Sequence, residues 1–221
     1  MAEGTLYIGN RRYSSWSLRG WLAVRLAGLD VAEQVIPLEG GDTPAVKAVS
    51  PSGLVPYLEH RGVAVWETIA IGEHCAELAP ALWPADRAAR AHARAIAAEM
   101  HAGFRPLREA MPMNLGRPVP GAGRTEGCLR DIARIETIWR EARARHGAGG
   151  PFLFGAAFTL ADAMYAPVVT RLLTYRPEIA ADTSVYCAAV RAFPLMAEWY
   201  GAAEREPAAW RIAKYESIAA P

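Results

Sequence analysis

Residues Ser52–His74 read SGLVPYLEHRGVAVWETIAIGEH. Val55-Pro56 starts a short apolar strand, Gly62 turns the chain, and Val63–Trp66 forms a second strand. Glu67-Thr68 then opens a helix, so the stretch reads as a β-hairpin feeding a helix. Only an X-Pro bond keeps the cis form within about 0.5–1 kcal/mol of trans, which makes Val55-Pro56 a candidate cis bond. A cis proline there leaves the Val55 backbone free to pair with an extended peptide. The free N–H groups of a helix start, with the Thr68 hydroxyl, suit a carboxylate. Glu67 beside them suits an ammonium. The set is complementary to the zwitterionic end of a small peptide. The same residues also suit a plain hairpin with a capped helix.

Outward from this stretch, Thr5–Gly9 reads as a strand and Ser14–Gly28 as a helix, with Leu18, Trp21, Leu22 and Arg25 at helical spacing. Val31–Leu38 reads as a strand, and Asp42–Val49 as a short helix ended by Ser50-Pro51-Ser52-Gly53. With the hairpin and a helix from Glu67 to about Leu78, the order is βαβ, α, ββα. The crossover implies that the first two strands are parallel. A four-stranded mixed sheet with helices on its faces follows. After Pro80 no strand pattern recurs. Ala81–Pro84 reads as a linker and Asp86–Met111 as one long Ala-rich helix. Pro112–Gly123 is a loop, Thr125–Arg145 a second long helix, and Gly147–Pro151 a break. Thr159–Leu173 is an apolar helix, and shorter helices cover Ser184–Tyr200 and the tail. The chain reads as an α/β domain over residues 1–80 followed by an all-α domain over 86–221.

Composition excludes several functions. The chain has 221 residues and a formal net charge of +1. Its arginine-rich stretch, Arg124–Arg145, is interleaved with Glu126, Asp131, Glu136 and Glu141. That is a solvated helix face rather than a phosphate-binding stripe, so no nucleic-acid partner is expected. No apolar run approaches the roughly 20 residues of a membrane span, and no signal-peptide pattern opens the chain. Cys75, Cys128 and Cys187 are far apart and odd in number, which suits reduced thiols and a cytoplasmic location. There is no CxxC and no ligand spacing among the five histidines, so no metal is expected.

Tyr13-Ser14-Ser15-Trp16-Ser17-Leu18-Arg19 lies between the first strand and the first helix. Its hydroxyls can cap that helix. Alternatively, a serine O–H donated to a thiol sulfur stabilises the thiolate, and the helix N-terminus acts in the same direction. The stretch Glu99–Arg108, EMHAGFRPLR, carries Gly103 and Pro106, which relieve packing where the helix passes a cleft. His101 reads as a packed or surface histidine before a catalytic one. Met111 and Met113 begin an irregular stretch that either covers an apolar pocket or simply connects helices. Thr159-Leu160-Ala161-Asp162 reads as a capping box, hence structural.

These residues together resemble the cytosolic glutathione transferases, over essentially the whole chain. Residues 50–56 (SPSGLVP) are similar to that family's cis-proline loop, and Glu67-Thr68 to the pair that holds the γ-glutamyl group. Tyr13–Arg19 is similar to the serine-rich stretch of the zeta class, except that Trp16 stands where zeta members have cysteine. The resemblance implies a thioredoxin-like N-terminal domain and an all-α C-terminal domain. It implies glutathione as co-substrate, Ser14 as catalytic hydroxyl with Ser15 beside it, and contacts from Trp16, Leu54, Val55, Pro56, Glu67, Thr68 and Arg108. An electrophile would sit in a mostly apolar pocket near His101, Phe104, Met111 and Met113. A homodimer and a detoxifying transferase are implied. A zeta-like isomerase, a glutathione peroxidase and a non-catalytic interaction module are the alternatives.

Overall fold

A computed structural model describes residues 2–219; Met1, Ala220 and Pro221, the outermost residues of the two expected domains, lie outside the described residues. The first part of the chain runs β1 (Gly4–Gly9), α1 (Ser15–Ala27), β2 (Ala32–Ile36), α2 (Pro44–Lys47), β3 (Tyr57–His60), β4 (Val63–Trp66) and α3 (Thr68–Leu78). The sheet order is β2-β1-β3-β4. β1 and β2 are parallel, as the crossover through α1 requires, and β3 is antiparallel to both β1 and β4. Only Arg61 and Gly62 separate β3 from β4, and both have positive φ, 50° and 79°. Two such residues form the turn whose twist matches a right-handed hairpin. Leu6, Ile8 and Leu58 are fully buried in the two central strands. α1 and α3 pack against each other, and α1 also packs against α7 (Leu160–Tyr175), which joins the sheet to the helical part.

The helical part contains α4 (Arg87–Ala102), α5 (Arg105–Ala110), α6 (Glu126–His146), α7, α8 (Ala181–Ala192), α9 (Pro194–Glu204) and α10 (Ala213–Glu216). Nearly every residue of α7 is buried, so it is the central post. Its start is the capping box read from sequence: the Thr159 N–H and hydroxyl both donate to Asp162 Oδ2, at 2.9 and 2.8 Å. Leu153 N–H and the Tyr186 hydroxyl donate to the other oxygen, each at 3.0 Å. Burial pushes the Asp162 carboxyl pKa up, and these four donors oppose the rise.

One helix of the sequence reading is two. The expected helix over residues 86–111 breaks at Gly103-Phe104, where Phe104 takes a left-handed conformation (φ 63°, ψ 38°). Pro106 has no N–H to continue the ladder, and its ring would meet the carbonyl one turn earlier. The Arg108 guanidinium fills the gap, donating to the carbonyls of Met100 and Gly103.

Candidate active site

Two cavities meet at Trp16. The first, about 240 Å³, is lined by Trp16, Ser52, Leu54, Val55, Pro56, Glu67, Thr68 and His101. The Val55-Pro56 bond is cis. Pairing between β1 and β3 ends at Tyr7 and Tyr57, so Val55 lies beyond the ladder. The Pro56 ring lies directly under Gly20 of α1; a Cβ there would come within 2.7 Å of Pro56 Cγ. Leu54 stands at the rim, 61% exposed. Glu67 has φ 66° and ψ 126°. A side-chain-bearing residue held there costs on the order of 1–3 kcal/mol, a type of strain that concentrates at functional sites. Its carboxylate lies 3.6 Å from His101 Nε2. Burial lowers the His101 pKa while the Glu67 charge opposes the shift, so the ring is mostly neutral at neutral pH. Thr68 is the first residue of α3, and its hydroxyl points to the Trp16 carbonyl at 3.5 Å.

The second cavity, about 260 Å³, lies between the loop leading into α1 and the helical domain, with Ser14, Ser15, Trp16, Arg108, Met113, Arg171 and Tyr215 in its wall. Ser14 is the N-cap of α1: its Oγ accepts from Ser17 N–H at 3.3 Å and donates to Ser17 Oγ at 2.7 Å. Ser17 Oγ also accepts from Gly9 N–H at 2.9 Å, which ties the helix start to the end of β1. Ser15 is the first helical residue. The Tyr13 hydroxyl turns away, donating to Glu216 at 2.6 Å. Burial and that carboxylate push its pKa up to about 12. Tyr13, Ser14 and Ser15 all line the cavity; the Tyr13 hydroxyl is engaged by Glu216, and Ser14 carries the hydrogen-bond relay.

The structure brings Trp16, Leu54, Val55, Pro56, Glu67 and Thr68 to one cavity. Arg108, expected with them, lines the second cavity instead. His101, expected near the electrophile, lines the first, because α4 runs past Glu67. Phe104 and Met111 belong to the hydrophobic core; Met113 alone of the four expected pocket residues reaches the second cavity. Arg108 and Arg171 place two guanidinium groups in the wall of that cavity. Sequence reasoning missed Arg19, which is 1% exposed and donates to the Met164 carbonyl of α7 at 2.7 Å. A charge flanked by Leu18, Trp21 and Leu22 on the apolar face of α1 was the available signal. It also missed the C-terminal segment, where Tyr215 and Glu216 close the outer side. Nothing in the composition of that segment marks it. Among the described residues no cluster of three or more His, Cys, Asp or Glu could hold a metal, and no helix is long and apolar enough to cross a membrane.

Comparison with known proteins fits this geometry. Residues 13–78 match the family model of the glutathione S-transferase N-terminal domain, and residues 122–215 that of the C-terminal domain. A probable maleylacetoacetate isomerase of Caenorhabditis elegans is 26% identical over 171 residues, covering 74% of this chain and 76% of that protein. A Burkholderia glutathione transferase homologue with bound glutathione superposes with a TM-score of 0.70 at 22% identity, over 92% of this chain and 99% of that one. A theta-class glutathione S-transferase from Xanthomonas axonopodis pv. citri, also with glutathione bound, gives 0.65 at 23% identity, over 94% and 99%. Both family models, in the right order, fall on the two structural halves, and the chain belongs to the glutathione S-transferase family of enzymes.

Proposed function

We propose that the first cavity binds glutathione and that the second holds a small electrophile, with the sulfur at the junction beside Ser14. The observation that carries this is the position of Trp16, common to both cavities, with Val55, Glu67 and Thr68 on one side and Ser14 on the other. Val55 would pair with the cysteinyl backbone, while Glu67 and Thr68 would hold the γ-glutamyl end. The Ser14 hydroxyl would turn from Ser17 to the sulfur and favour its ionised form. The thiolate then attacks the electrophile, and glutathione rather than a side chain is the nucleophile. Residues 1–80 would form the glutathione-binding domain, with residues 86–221 supplying the electrophile side. A homodimer in the cytoplasm is the proposed assembly and location. The bound glutathione in the Burkholderia and Xanthomonas structures supports the first step.

A second reading has one specific observation behind it. Arg108 and Arg171 in the second cavity suit an acidic electrophile. The isomerase named for the C. elegans relative supports reversible thiolate addition to a cis double bond. Calorimetric titration with glutathione, followed by turnover assays on aryl halides, epoxides, peroxides and neutral or acidic enones, separates the readings. Conjugation of neutral halides supports transfer; isomerisation of an acidic cis-enone without net glutathione loss supports the second reading. Absence of glutathione binding would refute both.

A further inference from the structure

Three guanidinium groups gather behind the junction of the two cavities. The Arg19 and Arg108 groups lie 4.7 and 4.5 Å from the Trp16 ring centroid. Arg171 completes the set from α7, 4% exposed. Every hydrogen bond they make goes to a backbone carbonyl. Arg19 donates to Met164 and, at 3.4 Å, to Ser15; Arg108 donates to Gly103 and Met100; Arg171 donates to Met111 and Pro167. Arg19 Nη2 and Arg108 Nη1 are buried with no partner among the described residues. Burial and mutual repulsion lower the pKa of Arg19, and that of Arg171 to about 9. Guanidinium groups nonetheless stay charged at neutral pH.

The acids nearby do not neutralise this charge. Asp131 acts on Arg108 from a distance, but its carboxylate accepts the Leu107 N–H at 2.9 Å. Glu67 faces His101. The other titratable neighbours are Tyr165 beside Arg19, Tyr175, Tyr215 and Cys128 beside Arg171, and His101, which faces both Arg19 and Arg108. Packing of α1 on α7 accounts for Arg19 Nε, which holds Met164. It does not account for a second buried cation facing Trp16 with a nitrogen left unpaired. Buried polar groups without partners are rare and costly, and buried charges are normally matched by an opposite charge.

We propose that Arg19, together with Arg108, leaves unmatched positive charge behind this junction, and that the ionised sulfur of bound glutathione supplies negative charge against it. Arg19 is then a positioning residue: it fixes the Trp16 indole and the Ser15 carbonyl and adds positive potential where the thiolate forms. The thiol proton leaves to bulk water, and no bond to the protein forms. The inference rests on the glutathione reading above.

Two glutathione analogues test it by calorimetry. Glutathione sulfonate carries a permanent anion at the sulfur, whereas S-methylglutathione is neutral there. The wild-type protein should bind the sulfonate at least about tenfold more tightly, the range of a charge-assisted interaction. Arg19→Met should erase most of that preference while S-methylglutathione affinity stays within about threefold; Arg19→Lys should restore it. Thiolate absorbance of bound glutathione should shift to higher pH in Arg19→Met. Should Arg19→Met not fold, Arg108→Met reads the same ratio from the less buried member of the pair. Equal affinity for both analogues in the wild type overturns the inference, as does an undiminished preference in a folded variant. Failure of the wild type to bind S-methylglutathione overturns the glutathione reading itself.

Discussion

Replacing Ser14 by alanine removes two things at once, and the structure lets them be measured separately. The first is the N-cap of α1, since Ser14 Oγ accepts the Ser17 N–H. Loss of a serine cap typically costs about 1 kcal/mol. For a chain of this size that lowers the melting temperature by about 2–4 °C. Ser17 Oγ keeps its bond from Gly9 N–H, so the link between β1 and α1 survives. The second loss is the donor to the sulfur. In the proposed complex the Ser14 hydroxyl exchanges its 2.7 Å bond to Ser17 for a charge-assisted bond to the thiolate. By analogy with the loss of one donor to a developing anion, turnover near neutral pH should fall about 10²- to 10³-fold. Glutathione should still bind through Val55, Glu67 and Thr68. A hydrogen-bond donor lowers a thiol pKa, so its removal raises that pKa and moves the acid limb of the rate profile to higher pH. Ser15→Ala should do less. Titrating thiolate absorbance in both variants, beside melting curves, checks each part. An unshifted titration in Ser14→Ala, or a larger shift in Ser15→Ala than in Ser14→Ala, would refute the assignment.

Glu67→Gln and Thr68→Ala should each weaken glutathione binding about tenfold to a hundredfold in calorimetry with melting little changed. Gly20→Ala should lower both stability and glutathione affinity, because the new methyl collides with the Pro56 ring that carries the Val55 backbone; unchanged affinity would show that the proline loop does not set the site. Acidification through the lowered His101 pKa should weaken glutathione binding, as the new cation competes for Glu67; His101→Gln should flatten that part of the profile. Asp162→Ala, which strips the acceptor from four donors, should cost about 3–5 kcal/mol in denaturant unfolding while leaving activity per folded molecule intact.

The residues legible from sequence are those whose chemistry is local. A proline entering a strand, a glycine at a two-residue turn and Thr159 three positions before Asp162 act through the backbone beside them, and short-range patterns report that. The sheet topology follows from the same signals, because one crossover and one hairpin leave few ways to join four strands. The second cavity is different. Its wall takes Ser14 from the cap of the first helix, Arg108 from a six-residue helix, Arg171 from the central post and Tyr215 from the tail. No spacing relates these positions, and their meeting depends on the break at Gly103-Phe104, where Gly103 and Pro106 mark a break but not the direction the chain takes after it. Arg19 shows the same limit from the other side. On a helical wheel it is a charge misplaced on an apolar face; in the fold its neighbours are Met164 of α7 and the Trp16 ring. A charge retained at that depth, where methionine or leucine would pack without desolvation cost, is the feature that stability alone does not explain. In the proposed complex its charge, held behind the Trp16 ring, would tie the helical domain to the ionisation of the sulfur, and electrostatics would then act alongside the serine hydroxyl.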